Sequence, residues 1–537
     1  MITRMTLVLA ALAILVPTVL HGQVDTLWKR AYSGTLLYGG AMLGDAAGNV
    51  YVAGRSFDNA GDYLTLKYNS TGVLQWARTY NGASGLLAID QPNAIALDPS
   101  GNVIVTGYSY GGPATDADFC TIKYSSNGDS LWVRRHNGYP STTNIDVATA
   151  LICDDSGNVY VTGYGPGPAS PVDVFTIKYS PNGDSLWGKY YNFPATNGGD
   201  RGWAITRDTS GNIIVVGESW GGTQIPPATG DDILILKYTP GGSLLQVRRI
   251  VASAGPNADS GRDVVTDSAG NIYVTGFSFQ GGPTRFTTVK ASPNTDSLWQ
   301  RNLTGAEQGK KIVLDKGGNV IAAGDAFGPD YVTVKYSSAG AQLWSATYNN
   351  GGSDQAMDVA VDTSKNVYVT GWSAGIFDGD FATVKYDSAG TQKWVKRYNS
   401  GVGGDVAIAI HVFSPGQFAV AGYSLGSGEI VTIRYAESLV PVNEISGELP
   451  AEISLLQNYP NPFNPSTLIR YSIPRESHAT LKVFNILGQE VTTLANGLMQ
   501  AGRYEAKLDA TSLPSGVYFY ALSSGGRTET KKMVLTK

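Results

Sequence analysis

Seven carboxylates fall at nearly regular intervals along this chain: Asp90, Asp146, Asp200, Asp259, Glu307, Asp354 and Asp405. A ring of such groups at the mouth of a channel would suit a cation or a basic ligand. The competing reading is that short Asp side chains accept backbone N–H groups where strands begin. A second acidic series, Asp62, Asp118, Asp173, Asp232, Asp330, Asp380 and Glu429, runs beside the first and is broken by Arg285. Aromatic rings form a third series: Phe57, Tyr110, Trp220, Phe279 and Phe327. They suit stacking on sugars or anchoring a protein partner, or else packing beneath their own loops.

Other chemistry is harder to assemble. Three matches to G-x-S-x-G occur, at 107–111, 217–221 and 422–426. A hydrolase elbow needs a strand, a sharp turn and then a helix, whereas each match lies where a strand leaves for a loop. Only four histidines are present, His21, His136, His411 and His478, too dispersed for a zinc site or a triad. No catalytic residues, metal or cofactor are assigned. A carboxylate-only enzyme acting on polysaccharide stays as the alternative, because paired acids leave no sequence signature.

The spacing of these residues comes from a repeat. A Gly-Asn-β-run-Gly segment occurs eight times, closing at Gly54, Gly107, Gly163, Gly217, Gly276, Gly324, Gly371 and Gly422, at intervals of 47 to 59 residues. That period suits a four-stranded propeller blade. Within each unit a strand like 93–98 leads through an Asp-x-x-Gly turn to a second, and an Asn-Gly turn joins a third to a fourth. Val, Ile, Thr, Tyr and Phe fill the strands. The last repeat stops after its third strand, and an orphan fourth strand, 25–32, precedes the first. Pairing the two closes an eighth blade and hides the edges of the array.

Two further columns read as scaffold. Lys67, Lys123, Lys178, Lys237, Lys290, Lys335, Lys385 and Arg434 end the third strands, and Asp45, Asp98, Asp154, Asp208, Asp267, Asp315 and Asp362 sit in the first turns. Both lie near one face, where ion pairs or turn caps account for them. The opposite face carries the variable loops, the acidic series and the aromatic series, and is where binding is expected.

The net charge of −5 and the lack of a basic run exclude attraction to nucleic acid. Arg4 followed by the apolar 6–20 reads as a signal peptide over residues 1–22. Cys120 and Cys153 replace apolar strand residues, Leu64 and Leu97, so they are either buried thiols or a disulfide between neighbouring blades.

The repeat resembles the SBBP class of β-propeller repeat, on its Gly157-Asn-Val-Tyr-Val-Thr-Gly163 core and Leu-Trp strand. Val247 is read as replacing the strand-four Trp in repeat four, and Lys365 replaces a turn Gly in repeat seven. The propeller is placed at 23–436 and a linker at 437–452. Residues 453–537 form a small Ig-like β-sandwich. There Asn458-Tyr-Pro-Asn-Pro-Phe-Asn-Pro, Val483-Phe-Asn-Ile-Leu-Gly-Gln-Glu and Ser515-Gly-Val-Tyr-Phe-Tyr520 resemble the type A sorting domain of the type IX secretion system. That resemblance implies a Gram-negative source, engagement of the secretion machinery by 453–537, and release or surface attachment. The whole is an all-β, eight-bladed propeller with a sorting domain, binding an extracellular glycan or protein without catalysis; a purely structural envelope role is the third reading.

Overall fold

The computed structural model describes residues 21–536, except 34–39, 57–60, 83–88, 113–115, 140–144, 169, 194–197, 222–229, 252–257, 280–281, 329, 375–378, 441–442, 446–449, 451, 476, 500 and 511–512. Phe57 and nearly all of the expected signal peptide lie outside the described residues.

Residues Thr26–Ala436 form one compact unit. It consists of eight four-stranded sheets, the blades, each with strands A to D hydrogen-bonded in chain order. Blades 1 to 7 span 41–80, 91–136, 147–191, 200–250, 260–303, 306–348 and 354–398. Blade 8 takes Asp405–Ser414, Gln417–Ser424 and Glu429–Val440 as A to C, and His21–Ser33 as its D strand. The A strands neighbour one another around the ring, and that of blade 8 meets Ala41–Gly44 of blade 1. Closure by the N-terminal strand is therefore as the sequence predicts.

The core lies between blades rather than within them. One cluster joins Ile214, Val216 and Ile235 of blade 4 to Val264, Ile272 and Val289 of blade 5, and the boundaries between blades 8 and 1, 1 and 2, 2 and 3, 3 and 4, 5 and 6, and 6 and 7 repeat the pattern. This is why strands B and C carry near-continuous apolar runs without a polar face.

A polar staple recurs across blade boundaries on the tight-turn face. The indole N–H of Trp76 donates to the Ser126 carbonyl of the next blade (3.1 Å), and the Lys67 ammonium donates to the same oxygen (2.9 Å). Trp132 with Lys123, Trp187 with Lys178, Trp299 with Lys290 and Trp344 with Lys335 repeat it. Each Trp ring lies on the turn glycine of its neighbour. At Gly128, which has φ +87°, an added Cβ would stand 2.7 Å from Trp76.

Blade 4 departs from this, though not where the sequence reading put it. Lys237 faces Gln246, as Lys123 faces Trp132, so Gln246 takes the Trp column and Val247 the position of Val133. The apolar Leu-Leu-x-Val run obscures that register. With no indole above it, the facing turn of blade 5 holds Thr295 where its sisters have Gly, at φ +67°.

Glu437–Lys537 belong to a second compact unit. Its two four-stranded sheets enclose one core, with Ile469, Tyr471 and Leu508 from one sheet and Leu481, Tyr520 and Met533 from the other. The expected linker is structured at both ends. Strand C of blade 8 continues to Val440, and Asn443–Ile445 pairs with Gly502–Asp509.

Candidate functional site

The two Asp-rich faces are built differently. On the tight-turn face each turn carboxylate is crowded with donors. Asp98 accepts the N–H groups of Ser100 and Asn102 and the Asn102 amide, each at 2.8–2.9 Å. In blades 2, 4 and 6 the column lysine completes the shell, at 2.8 Å for Lys123–Asp98 and 2.9 Å for Lys237–Asp208 and Lys335–Asp315. Blades 1, 3, 5 and 7 do otherwise. There a tyrosine hydroxyl (Tyr51, Tyr160, Tyr273, Tyr368) donates to the Asp at 2.9–3.1 Å, and the lysine lies 4.8–5.3 Å from the centre of that ring. Burial works against ionisation of Asp98, but the bonds from Lys123 and Asn102 outweigh it and hold the carboxyl below its usual range. The same balance brings Asp315 down to about 2.

The acidic residues proposed at the channel mouth are internal to the opposite face. Asp90, Asp146, Asp200, Asp259, Asp354 and Asp405 are 0–1% exposed. Each takes backbone N–H groups from the loops around it: Gly82 and Tyr110 on Asp90, Gly138 on Asp146, Phe193 on Asp200, Phe279 on Asp259, Asn350 on Asp354 and Ser400 on Asp405. These six are loop caps and offer a ligand no open carboxylate. Their short side chains reach donors that a solvated Asp would leave to water. Glu307 differs: it lies inside strand A of blade 6, half-buried at a bulge. Burial pushes Asp146 up to about 7 and Asp200 up to about 6.

Of the proposed aromatic residues, Trp220 and Phe327 are each 38% exposed, while Tyr110 and Phe279 are half-buried. Trp220 lies on Gly198, and the Phe327 N–H donates to Gly305 (3.0 Å). Asp118, Asp232 and Asp380 of the second acidic series are tied to strand-D arginines. Arg135 bonds Asp118 and the carbonyl and hydroxyl of Ser109, and Arg397 does the same with Asp380 and Ser373.

The inner rim of this face holds a set that the sequence reading missed. Immediately after the closing Gly of strand B come Arg55, Tyr108, Tyr164, Glu218, Phe277, Asp325, Trp372 and Tyr423. From Tyr108 onward each is paired with a residue at the start of strand A, the innermost strand. A bulge in strand A adds Trp203, Arg262, Lys310 and Met357. Arg262 stacks over Trp203 (4.5 Å) and Phe277 (5.2 Å), and Trp203 meets Tyr164 edge-on at 5.4 Å. Arg201 pairs with Glu218 at 3.0 Å and lies over Tyr164. Lys310 pairs with Asp325 at 2.8 Å. Arg201 and Arg262 keep about a third of their side chains open to solvent. Deeper along the same strands, Lys311 stands among Asp263 and Asp358; Asp263 is the main cause of its raised pKa.

No cluster of His, Cys, Asp or Glu among the described residues is arranged to hold a metal ion. Cys120 and Cys153 are free thiols, and burial pushes each up to about 12.

Comparison with known proteins places both halves. Residues 457–536 match the secretion system C-terminal sorting domain, and residues 247–278 and 344–378 match the SBBP β-propeller repeat. A WD repeat-containing protein of Acanthamoeba polyphaga mimivirus is 25% identical over 57% of the chain, which spans 25% of that protein's length. Among solved structures, Sqt1 of Chaetomium thermophilum, bound to the N-terminus of a ribosomal protein, is 10% identical. It covers 78% of this chain and 100% of its own, with a TM-score of 0.50. A protein of Dyadobacter fermentans covers 77% of this chain and 99% of its own at 9% identity, TM-score 0.39. The sorting domain marks the protein for secretion or cell-surface attachment through the type IX machinery. The chain carries SBBP β-propeller repeats and a C-terminal sorting domain of the type IX secretion system.

Proposed function

We propose that this secreted propeller is a non-catalytic binding protein whose ligand, a glycan, docks at the inner rim of the loop-rich face. The observation that carries the reading is the aromatic and charged rim around Trp203. Rings stack on the apolar faces of sugars, while Arg201, Arg262 and Glu218 offer paired donors and acceptors at the ring edges. Cations and carboxylates are interleaved along the rim, which suits hydroxyl-rich ligands better than a strongly charged one. Exposed Trp220 extends the platform outward.

The test is binding of the intact secreted protein to a glycan array, followed by titration. Trp203→Ala is expected to weaken binding at least about tenfold, the loss of about 1.4 kcal/mol. Trp220→Ala is expected to weaken it less. Binding unchanged in both variants would refute the rim as the site.

A second reading rests on one observation. Asp231 is pushed up to about 6, by burial first and then by the charge of Glu218. A carboxyl raised by burial beside a second carboxylate is the raw material of an acid–base pair. Turnover of a polysaccharide, abolished by both Glu218→Gln and Asp231→Asn, would establish an enzyme in place of a binding protein.

A further inference from the structure

The seam between blades 8 and 1 breaks the rule followed at the tight-turn face. Blade 8 has the same hairpin length as blade 2, with Val412 opposite Phe418 as Leu97 is opposite Val103. This register puts Phe413 where the sister blades have the turn Asp, and Gln417 where they have the Asn. The column cation is still there, as Arg434, but its carboxylate has gone.

Arg434 is 5% exposed, and no carboxylate among the described residues lies within ion-pair distance of it. It stacks on Phe413, 3.3 Å from the ring centre. Its two terminal nitrogens make only long bonds, to the Gly48 carbonyl (3.3 Å) and the Gln417 amide oxygen (3.4 Å), and its Nε is buried without a partner. In the even-numbered sisters the buried cation has both a carboxylate at 2.8–2.9 Å and a carbonyl of the next blade. A buried charge without its counter-charge is costly, and an unpaired buried donor adds to that cost.

The surroundings are open on that side. A cavity of about 570 Å³ is lined by Arg434, His411, Phe413, Ser414, Gln417 and Ser70, with a floor of Gly and Ala from the first turn of blade 1. Gly44 belongs to this arrangement: a Cβ there would stand 2.4 Å from the Phe413 ring and 2.6 Å from His411. Blade 1 has thus given up a side chain to seat the ring on which the guanidinium lies. Asp45 also borders the cavity, but its oxygens are taken by Asn49 and Tyr51.

We infer that this seam is a binding site for an oxyanion, a carboxylate, sulfate or phosphate group, which supplies the counter-charge missing from blade 8. The planar fork of Arg434 suits two oxygens of such a group, and the hydroxyls of Ser70 and Ser414 line the same cavity. The cavity exceeds a bare ion in size, so the anionic group belongs to a small organic molecule. Because the lining comes from both blades, the ligand bridges the ring's closure. The site is on the face opposite the glycan rim and does not depend on that reading.

The experiment is thermal unfolding of the full secreted protein with sulfate, phosphate or galacturonate, against galactose and against chloride at matched ionic strength. A saturable rise in Tm of about 2 °C or more is expected with at least one of the three anions and with neither control. Which anion acts at the lowest concentration identifies the group. Arg434→Gln is expected to abolish the rise. Phe413→Asp restores the sister blades' carboxylate, so it is expected to raise the basal Tm and also abolish the anion response. A response that survives in both variants, or no response to any of the anions, overturns the assignment. Glycan binding at the rim is expected to be unaffected by either substitution.

Discussion

The tight-turn face carries an aspartate in blades 1 to 7 and the loop-rich face carries one in six blades, and members of the two sets behave oppositely. Turn aspartates such as Asp98 and Asp315 sit under four or more donors and are held below the usual carboxylate range. Loop-face aspartates are more deeply buried but have fewer donors. Asp146 accepts one N–H group and leaves its other oxygen unpartnered, and it rises to about 7. Burial is common to both; the number of donors decides the sign. A regularly repeated acid is therefore no guide by itself to a binding site.

The largest expected effect separates the two kinds of blade on the turn face. Asp98→Ala leaves Lys123 buried and unpaired and should destabilise by about 3–5 kcal/mol. Asp154→Ala in blade 3 removes the turn cap and a tyrosine hydrogen bond, with no comparably buried cation left behind, and should cost about 1–3 kcal/mol. Denaturant unfolding of both variants checks the difference. Equal losses would mean that the ion pair adds nothing to the shared cap.

Next in size are the turn glycines. Gly101 has φ +76° and no atom within 4 Å of an added Cβ, whereas Gly128 has the Trp76 ring at 2.7 Å. Gly101→Ala should cost about 1 kcal/mol for its backbone alone. Gly128→Ala should cost about 2–4 kcal/mol, because overpacking is added. The natural exception makes a finer version. Gln246→Trp alone should destabilise, since Thr295 blocks the indole, and adding Thr295→Gly should recover the loss and gain about 1 kcal/mol.

The faces should also differ in pH dependence. Depressed turn carboxylates contribute stability above their unfolded value of 3.8, and it is lost as pH falls through the folded value, near 2 for Asp315. For Asp146 and Asp200 the folded value is raised, so their contribution is complete below pH 4 and is lost as pH rises toward 6 and 7. Stability is expected to peak near pH 4–5. Asp146→Asn should flatten the alkaline limb, stabilising by up to about 4 kcal/mol at pH 8 and by much less at pH 4. An unchanged limb would remove Asp146 from the account.

The eight blades, the closing strand and the sorting domain were legible because they rest on residues repeated in nearly every unit: the Asp-x-x-Gly turn, the Leu-Trp strand, the Asn-Pro-Phe-Asn-Pro run. The rim was not. Its column after the closing Gly alternates irregularly between rings and charges, so it has no periodic signal, whereas Phe57, Tyr110, Trp220, Phe279 and Phe327 recur at one offset from that Gly. The acidic column left two readings open, a ring of ligands or caps on backbone N–H groups, and six of its seven members accept loop N–H groups. The pairing of Gly44 with Phe413 was out of reach, since it joins opposite ends of the repeat array. Gln246 was misread because Val247 offered the more plausible apolar substitute.

The closing strand sets the timing of folding. His21–Ser33 is the first propeller segment to be synthesised, and Glu429–Val440, the strand it lies beside, is the last. The entropy of closing so long a loop is modest, since each doubling of length adds only about 0.6 kcal/mol. The delay is not modest. Blades 1 to 7 are complete while the opening strand still lacks its neighbour, and it stays an unpaired edge until the final repeat emerges. A chain stopped early by truncation would keep that edge exposed.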